Sequence, residues 1–551
     1  MRGRPFSDTL SRWLLSLMRR TSPLFSGKVV GMNCCCWATV AGLALFSLPS
    51  FANSCESLAT LHLPHTTITK AEVLTGGTFT PASGKPLADL PPFCRVTAAS
   101  NPSADSDIRV EIWMPVSHWN DRMEGTGNGG FAGKISYGAL AEGLRLGYAV
   151  ANTDMGMATP TNATAAIFVN RPERWADWGY RATHEMTLVA KQVVRAYYSR
   201  DAKRSYFVGC STGGEQALME SQRFPDDYDG IVGGAAANNR TGVHVSILWN
   251  FAVNERTPAS YLPAAARSVL SQAVVNACDA LDGVKDGVIA DPTKCHLDPA
   301  SLQCKGAGRE SCLTESQVET AKQLYAGPVN PRTGQSLYPG LPRGSEFGWD
   351  GLDPTPGGTA PYAPIFQWVF GANWDWRSFD FDRQFGTFSQ LLAGIVNATS
   401  PDIDTFRAHG HKLLMYHGWS DWLVAPEESI NYYNAVLTRD KESRSGQPSS
   451  GAPLEPIDNS FRLFMVPGMA HCGGGPGATH FDALAAVVNW VENGIAPDKI
   501  LASKLPPSES SGAPTLQRPL CPYPRVAQYQ GSGSVNDASS FVCTDPNPMV
   551  K

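Results

Sequence analysis

The stretch that most constrains this chain is Arg204 to Gly214, RSYFVGCSTGG. Tyr206, Phe207, Val208 and Cys210 are apolar or aromatic and run into a Gly-x-Ser-x-Gly turn at Gly209, Ser211 and Gly213. The helical pattern EQALMESQRF follows at once. Strand, tight turn and helix in immediate succession predict a nucleophile elbow. Small residues flank the serine because Cβ atoms would clash in so strained a turn. The turn lifts the Ser211 hydroxyl clear of the sheet edge. It also leaves the Thr212 amide at a helix N-terminus, where it can donate to an oxyanion. The competing reading, a Gly-rich surface turn with an incidental serine, fits the bare pattern equally well. The flanking strand and helix favour the elbow.

A serine hydroxyl attacks a carbonyl only when a base takes its proton. The elbow therefore demands a histidine and an acid to orient it, in the chain order Ser, Asp or Glu, His. HKLLMYHGWSD reads as a buried strand ending in a turn at Gly418 to Asp421, and FRLFMVPGMAHC as a strand, a Pro-Gly break and then His471. Both candidates follow strands, so both can reach the carboxyl edge of one parallel sheet. Taken singly, Asp421 is as good a turn residue and His471 as good a loop histidine. Order and position together favour a triad of Ser211, Asp421 and His471. Cys210 directly precedes Ser211 and Cys472 directly follows His471. A bond between these cysteines would hold nucleophile and base side by side, since bridged Cα atoms lie about 4.4–6.8 Å apart. Upstream, DIRVEIWMPV (Asp107 to Val116) alternates like a strand, and GTGNGGFAG (Gly125 to Gly133) follows it. This is where an oxyanion-hole loop lies, with Gly129, and Gly130 beside it, as the candidate donors. A phosphate-binding reading is weaker, because the Lys-Ser/Thr ending of a P-loop is missing.

The N-terminus carries Arg2, Arg4, Arg12, Arg19, Arg20 and Lys28, then the apolar run CCCWATVAGLALFSLPSFA ending at Ala52. A basic region, an apolar region and small residues predict a secretory leader over residues 1–52. The basic part is long, which leaves Met32 as an alternative start. A retained anchor is the competing reading, although the run is short of the ~20 residues that a spanning helix needs. No comparable run follows, so the expectation is a soluble, secreted or periplasmic mature protein. A net charge of −5 with few charge runs gives no footprint of nucleic-acid binding. Ten of the 13 cysteines lie beyond the leader: Cys55, Cys94, Cys210, Cys278, Cys295, Cys304, Cys312, Cys472, Cys521 and Cys543. An even number behind a leader predicts disulfides. Sequence does not fix their connectivity. Proximity suggests 278 with 295, 304 with 312, 521 with 543 and 55 with 94, which leaves 210 and 472. No Cys-x-x-Cys pair supports a zinc site.

GYAVANTDM (Gly147 to Met155) reads as a strand and HEMTLVAKQVVRAYY (His184 to Tyr198) as a helix leading into the elbow strand. From about Asn239 to Ser400 the character changes to Pro, Gly, Trp and loops, which suggests an insertion between core elements. Trp349, Trp368, Trp374, Trp376, Phe366, Phe370, Phe379 and Phe381 lie in it, and each reads more readily as core packing than as pocket lining. Inside the insertion, CDALDGVKDGVIAD sets Asp279, Asp282 and Asp286 close together with Gly283 and Gly287. Carboxylates this close repel unless they are solvated or bind a cation. Spacing alone favours an acidic surface loop, and the twelfth position from Asp279 is Ala290, so this is no EF-hand. FDALAAVVNWVENG (Phe481 to Gly494) reads as an amphipathic helix closing the sheet.

The Cys-Ser … Asp … His-Cys arrangement resembles the tannase and feruloyl esterase family, which also contains mono(2-hydroxyethyl) terephthalate hydrolase. The resemblance runs from about Cys55 to the C-terminus through WNDRMEGTGNGGFAG, SQRFPDDYDGIVGGAAA, YHGWSD, VPGMAHCGGGPG and RPLCPYP. It implies an α/β-hydrolase fold, with core segments 53–238 and 401–551 and a lid domain at 239–400. It implies the same five disulfides. It also implies a structural Ca²⁺ held by Asp279, Asp282 and Asp286 with the carbonyls of Val284 and Val288. The implied reaction is hydrolysis of a small aromatic ester, a hydroxycinnamate or gallate, by Ser211, His471 and Asp421 through an acyl-enzyme. A terephthalate half-ester is the alternative substrate, and that chemistry calls for a cation that the sequence does not identify. Two other classes remain: an idle, calcium-stabilised protein that binds phenolics, and a peptidase on the same fold. The oligomeric state is left open.

Overall fold

Nine strands form one mixed sheet. They are β1 (Thr66–Leu74), β2 (Phe93–Ser100), β3 (Ile108–Pro115), β4 (Arg122–Thr126), β5 (Ala149–Thr153), β6 (Arg204–Cys210), β7 (Gly230–Gly234), β8 (Lys412–Gly418) and β9 (Phe461–Val466). The order across the sheet is β1-β2-β3-β5-β4-β6-β7-β8-β9. β1, β2, β3 and β5 pair antiparallel in turn, and from β5 onward every pairing is parallel. The computed structural model describes residues 54–545 except 83, 132, 158–164, 307–310, 354–359, 446–454 and 507–511. The expected leader over 1–52 lies outside the described residues.

A parallel sheet needs helices on both faces, and the strands of this one are correspondingly apolar on both. AVANT of β5 and GIVGG of β7 are buried at every position. Side chains alternate between the faces. Phe207, Ile231, Leu413, Met415 and Leu463 enter one core, while Tyr206, Val232, Leu414 and Phe464 enter the other. Among the described residues ten α-helices have seven residues or more: α1 (Tyr137–Arg145), α2 (Ala182–Tyr198), α3 (Thr212–Arg223), α4 (Arg240–Asn254), α5 (Ala264–Cys278), α6 (Glu315–Ala326), α7 (Pro364–Phe370), α8 (Arg383–Val396), α9 (Pro426–Ser445) and α10 (Ala483–Asn493). α2 and α3 cover the first face through Met186, Val189, Val193, Ala217, Leu218 and Met219. α1 and α10 cover the second through Leu140, Leu144 and Val487. α10 starts two residues later than the apolar pattern suggests, because Asp482 caps it by accepting from the Ala485 N–H, and Gly494 ends it at φ 70°.

β8 pairs directly with β7, Lys412 opposite Gly230 and Tyr416 opposite Gly234. The long segment between them therefore leaves the sheet edge and returns beside its own point of departure. It carries α4 to α8 and adds no strand to the nine-stranded sheet. Its large aromatics pack as expected: Trp349, Phe366, Trp368 and Phe379 are buried, and Phe370, Trp374, Trp376 and Phe381 are partly buried against the main core. Five disulfides are present, Cys55–Cys94, Cys210–Cys472, Cys278–Cys295, Cys304–Cys312 and Cys521–Cys543. Among the described residues no helix is long and apolar enough to cross a membrane. The parallel run, the helices on both faces and the serine turn after β6 together make the α/β-hydrolase fold.

Candidate active site

Ser211 sits between β6 and α3 at φ 64° and ψ −115°, a conformation that side-chain-bearing residues avoid unless their surroundings impose it. Those surroundings are hydrogen bonds in three directions. The Ser211 N–H donates to the Gly234 carbonyl at 2.9 Å, and the Ser211 carbonyl accepts from Ala237 and Glu215, each at 3.1 Å. The backbone crossing is so tight that a Cβ on Gly209 would lie 2.3 Å from the Gly213 oxygen, so glycine is obligatory there.

The three residues singled out in the sequence come together. With the imidazole proton on Nδ1, His471 donates to Asp421 Oδ2 at 2.7 Å and accepts the Ser211 hydroxyl at Nε2 across 2.8 Å. Asp421 is fully buried, which alone would raise its pKa. The charge of His471 and hydrogen bonds from His417 and His471 overcome that burial and hold the carboxyl well below the usual carboxylate range. Its other oxygen accepts the N–H groups of Leu423 and Val424 at 2.9 and 3.0 Å. The Cys210–Cys472 bond brackets the pair, with Cα atoms 5.9 Å apart.

Sequence reasoning missed His417. This buried imidazole faces Asp421 Oδ2 at 3.2 Å and Val424 O at 3.0 Å through Nε2, and Nδ1 accepts from the Ser429 hydroxyl at 2.7 Å. Its signal was present in YHGWSD, four residues before the acid.

The glycine loop after β4 lies directly against the elbow: a Cβ on Gly127 would meet the Gly213 Cα at 2.5 Å. Gly213 N–H donates to Asn128 O at 2.8 Å, Asn128 N–H donates to Gln216 Oε1 at 2.8 Å, and the Thr212 hydroxyl donates to Gly130 O at 2.5 Å. Gln216 also returns a bond from Nε2 to Asn128 Oδ1 at 3.1 Å. Gly129, which these contacts leave uncovered, has open space where a Cβ would point. Thr212 is the first residue of α3, so its N–H has no helical carbonyl to bind. Thr212 thus presents a free N–H beside Ser211, and Gly129 lies on the loop packed against the elbow.

The Asp279–Val288 loop is compact. Asp279 Oδ1 accepts the N–H groups of Asp286 and Gly287 at 3.1 and 3.0 Å, and Asp282 and Asp286 each accept the amide two residues on. Burial first, then the charges of Asp286 and Asp279, raise the Asp282 pKa. Arg518 meets Asp286 Oδ2 at 2.5 Å. Among the described residues these three aspartates are not among the acidic groups whose ligand atoms converge within 4.8 Å of one another, and Arg518 already engages an Asp286 oxygen that a Ca²⁺ would need. Elsewhere His184, Glu220 and Asp227 place their ligand atoms within 4.8 Å of one another, a group able to hold a metal ion. His184 Nδ1 and Asp227 Oδ2 are 2.6 Å apart. Neither group lies at Ser211.

Comparison with known proteins matches residues 94–544 to the family model described as tannase and feruloyl esterase. An uncharacterised esterase of Xanthomonas campestris pv. campestris is 37% identical over 536 residues, covering 91% of this chain and 93% of that protein. The mono(2-hydroxyethyl) terephthalate hydrolase of Piscinibacter sakaiensis is 33% identical over 543 residues, covering 83% and 86%. The crystal structure of feruloyl esterase B from Aspergillus oryzae superposes with a TM-score of 0.79 at 28% identity, covering 90% of this chain and all of that one.

Proposed function

Because the chain belongs to the tannase and feruloyl esterase family and is a carboxylic ester hydrolase, we propose that Ser211, His471 and Asp421 carry the reaction and that the substrate is a small aromatic ester. The Ser211 oxygen bonds to the ester carbonyl carbon while its proton passes to His471 Nε2. The tetrahedral oxyanion takes hydrogen bonds from the amides of Thr212 and Gly129, with Gly130 beside them. The carbon–oxygen bond to the alcohol breaks as His471 returns the proton to it, leaving an acyl-serine. Water, deprotonated by the same nitrogen, then adds to the acyl carbon and releases the acid. Asp421 keeps the imidazole in one tautomer and balances its charge while it is protonated.

One observation carries this reading: a serine hydroxyl, an imidazole and a buried carboxylate in series at 2.8 and 2.7 Å, on three strand ends of one sheet. The segment inserted between β7 and β8 acts as the lid that walls the acyl site, and a Ca²⁺ at Asp279, Asp282, Asp286 and the Val284 and Val288 carbonyls braces it. The protein is exported, as its ten cysteines beyond the leader, all paired, suit an oxidising compartment. The test is turnover of methyl ferulate and methyl gallate by the wild type and Ser211→Ala, with a serine-directed organophosphate as label. Loss of turnover and of labelling together is the expected result. Turnover undiminished in Ser211→Ala refutes the assignment, and faster cleavage of the matching amide refutes the ester preference.

A further inference from the structure

β8 runs through Leu413, Leu414 and Met415, all fully buried, and then places the imidazole of His417 where water does not reach it either. An apolar side chain would fill that place without the cost of burying two ring nitrogens. Both nitrogens are satisfied, and their partners give the ring a task. Nε2 faces Asp421 Oδ2 at 3.2 Å and the Val424 carbonyl at 3.0 Å. Both of these are acceptors, so Nε2 carries the proton and shares it between them. Nδ1 is left to accept from the Ser429 hydroxyl at 2.7 Å. Ser429 is fully buried as well and is the fourth residue of α9.

These bonds close a ring around the acid. The amides of Leu423 and Val424 hold Asp421 Oδ1. His417 holds Oδ2 and, through the Val424 carbonyl, also grips the segment that supplies those amides. A carboxylate held at one oxygen can swing about its Cβ–Cγ bond, whereas one held at both has its plane set. That plane decides whether Oδ2 lies in line with the His471 Nδ1–H, which it meets at 2.7 Å. A base displaced by about 1 Å loses most of its effect.

We infer that His417, with Ser429 behind it, is a positioning residue for the reaction: it sets the plane of the Asp421 carboxylate, and through it the His471 imidazole, without touching the substrate. The inference rests on the triad reading above. It lengthens the series of hydrogen-bonded side chains to five: Ser429, His417, Asp421, His471 and Ser211. The two serines at its ends do different work. Ser211 attacks, and Ser429 donates to Nδ1 of His417 and so keeps the ring's proton on the nitrogen that faces the acid. A histidine that only packed the turn would support folding and nothing more. One that sets the carboxylate acts through Asp421 alone, and a double-mutant cycle separates the two.

The experiment measures kcat and KM on methyl gallate for His417→Phe, which fills the space and lacks the donor, and for His417→Gln, which can keep an N–H near the Nε2 position. Each is made in the wild type and in Asp421→Asn, and kcat is referred to the folded fraction from circular dichroism. In the wild-type background His417→Phe should lower kcat by about tenfold or more, the worth of a hydrogen bond to a charged group, with KM within about twofold. His417→Gln should recover most of that loss. In Asp421→Asn, where the carboxylate is already gone, His417→Phe should lower kcat by no more than about twofold. An unchanged kcat, equal losses in the two backgrounds, or equal losses for the Phe and Gln changes overturn the inference and leave the triad standing. Should His417→Phe not fold, the smaller change Ser429→Ala takes its place: about a threefold loss of kcat in the wild type and none in Asp421→Asn is expected, and an undiminished kcat overturns the inference. An Asp421→Asn enzyme as active as the wild type overturns instead the triad reading on which it rests.

Discussion

Removing the Cys210–Cys472 bond by the double change Cys210→Ser and Cys472→Ser should cost far more activity than stability. The bond joins residues 262 apart in sequence. On the chain-entropy account, closing a loop of that length stabilises the fold by about 5–6 kcal/mol. A chain of this size unfolds with an entropy near 1 kcal/mol per kelvin, so the midpoint should fall by only about 5 °C. At 25 °C the double variant is therefore still folded. The backbone before the base is tied down, since Ser420 N–H bonds Met469 O at 2.9 Å. After residue 470 come His471, Cys472 at φ 62° and three consecutive glycines, with the disulfide as the covalent restraint. A displacement of His471 by about 1 Å is enough to cost about 100-fold in kcat. The assay is kcat on methyl gallate at 25 °C beside a thermal melt by circular dichroism. A lowered midpoint with kcat within threefold of wild type would refute the argument and show that packing alone seats the imidazole.

Other expectations are simpler to state. Asp421→Asn should lower kcat by about 10⁴, the cost of the wrong imidazole tautomer in triads of this kind, with little change in KM; a loss under tenfold in steady-state rates would mean that His417 or another group orients His471. Glu124 is fully buried, and burial followed by the charges of Glu142 and Asp482 pushes its pKa to about 8 from 4.5. The folded state then binds the extra proton between those values, so stability falls as pH rises from 4.5 towards 8, by up to about 1.4 kcal/mol per unit. Glu124→Gln should flatten that slope in urea unfolding measured at pH 6 and pH 8.5, and an unchanged slope counts against it. Chelation with EGTA should lower the melting midpoint by several degrees, with Ca²⁺ restoring it, and Asp279→Ala should abolish the Ca²⁺-dependent shift; a midpoint indifferent to Ca²⁺ would leave the 279–288 loop without an ion.

What the sequence discloses here follows from the range of the forces involved. The elbow is legible because one tight turn dictates its glycines locally, and Asp421 and His471 are legible because both must follow strands of the same parallel sheet. His417 escapes notice because an imidazole inside a buried strand looks like any other core residue. Only the turn that brings Asp421 back on itself makes the two neighbours. Glu215 and Arg240 are less visible still. Each occupies an ordinary charged position near the start of a helix, and 25 residues separate them. Their burial depends on the fold bringing the start of α4 beside the start of α3, where Arg240 Nη2 stands 3.7 Å from Glu215 Oε2. A charge becomes informative only when water is taken from it. The insertion, whose α4 carries Arg240, is thus what takes water from this pair.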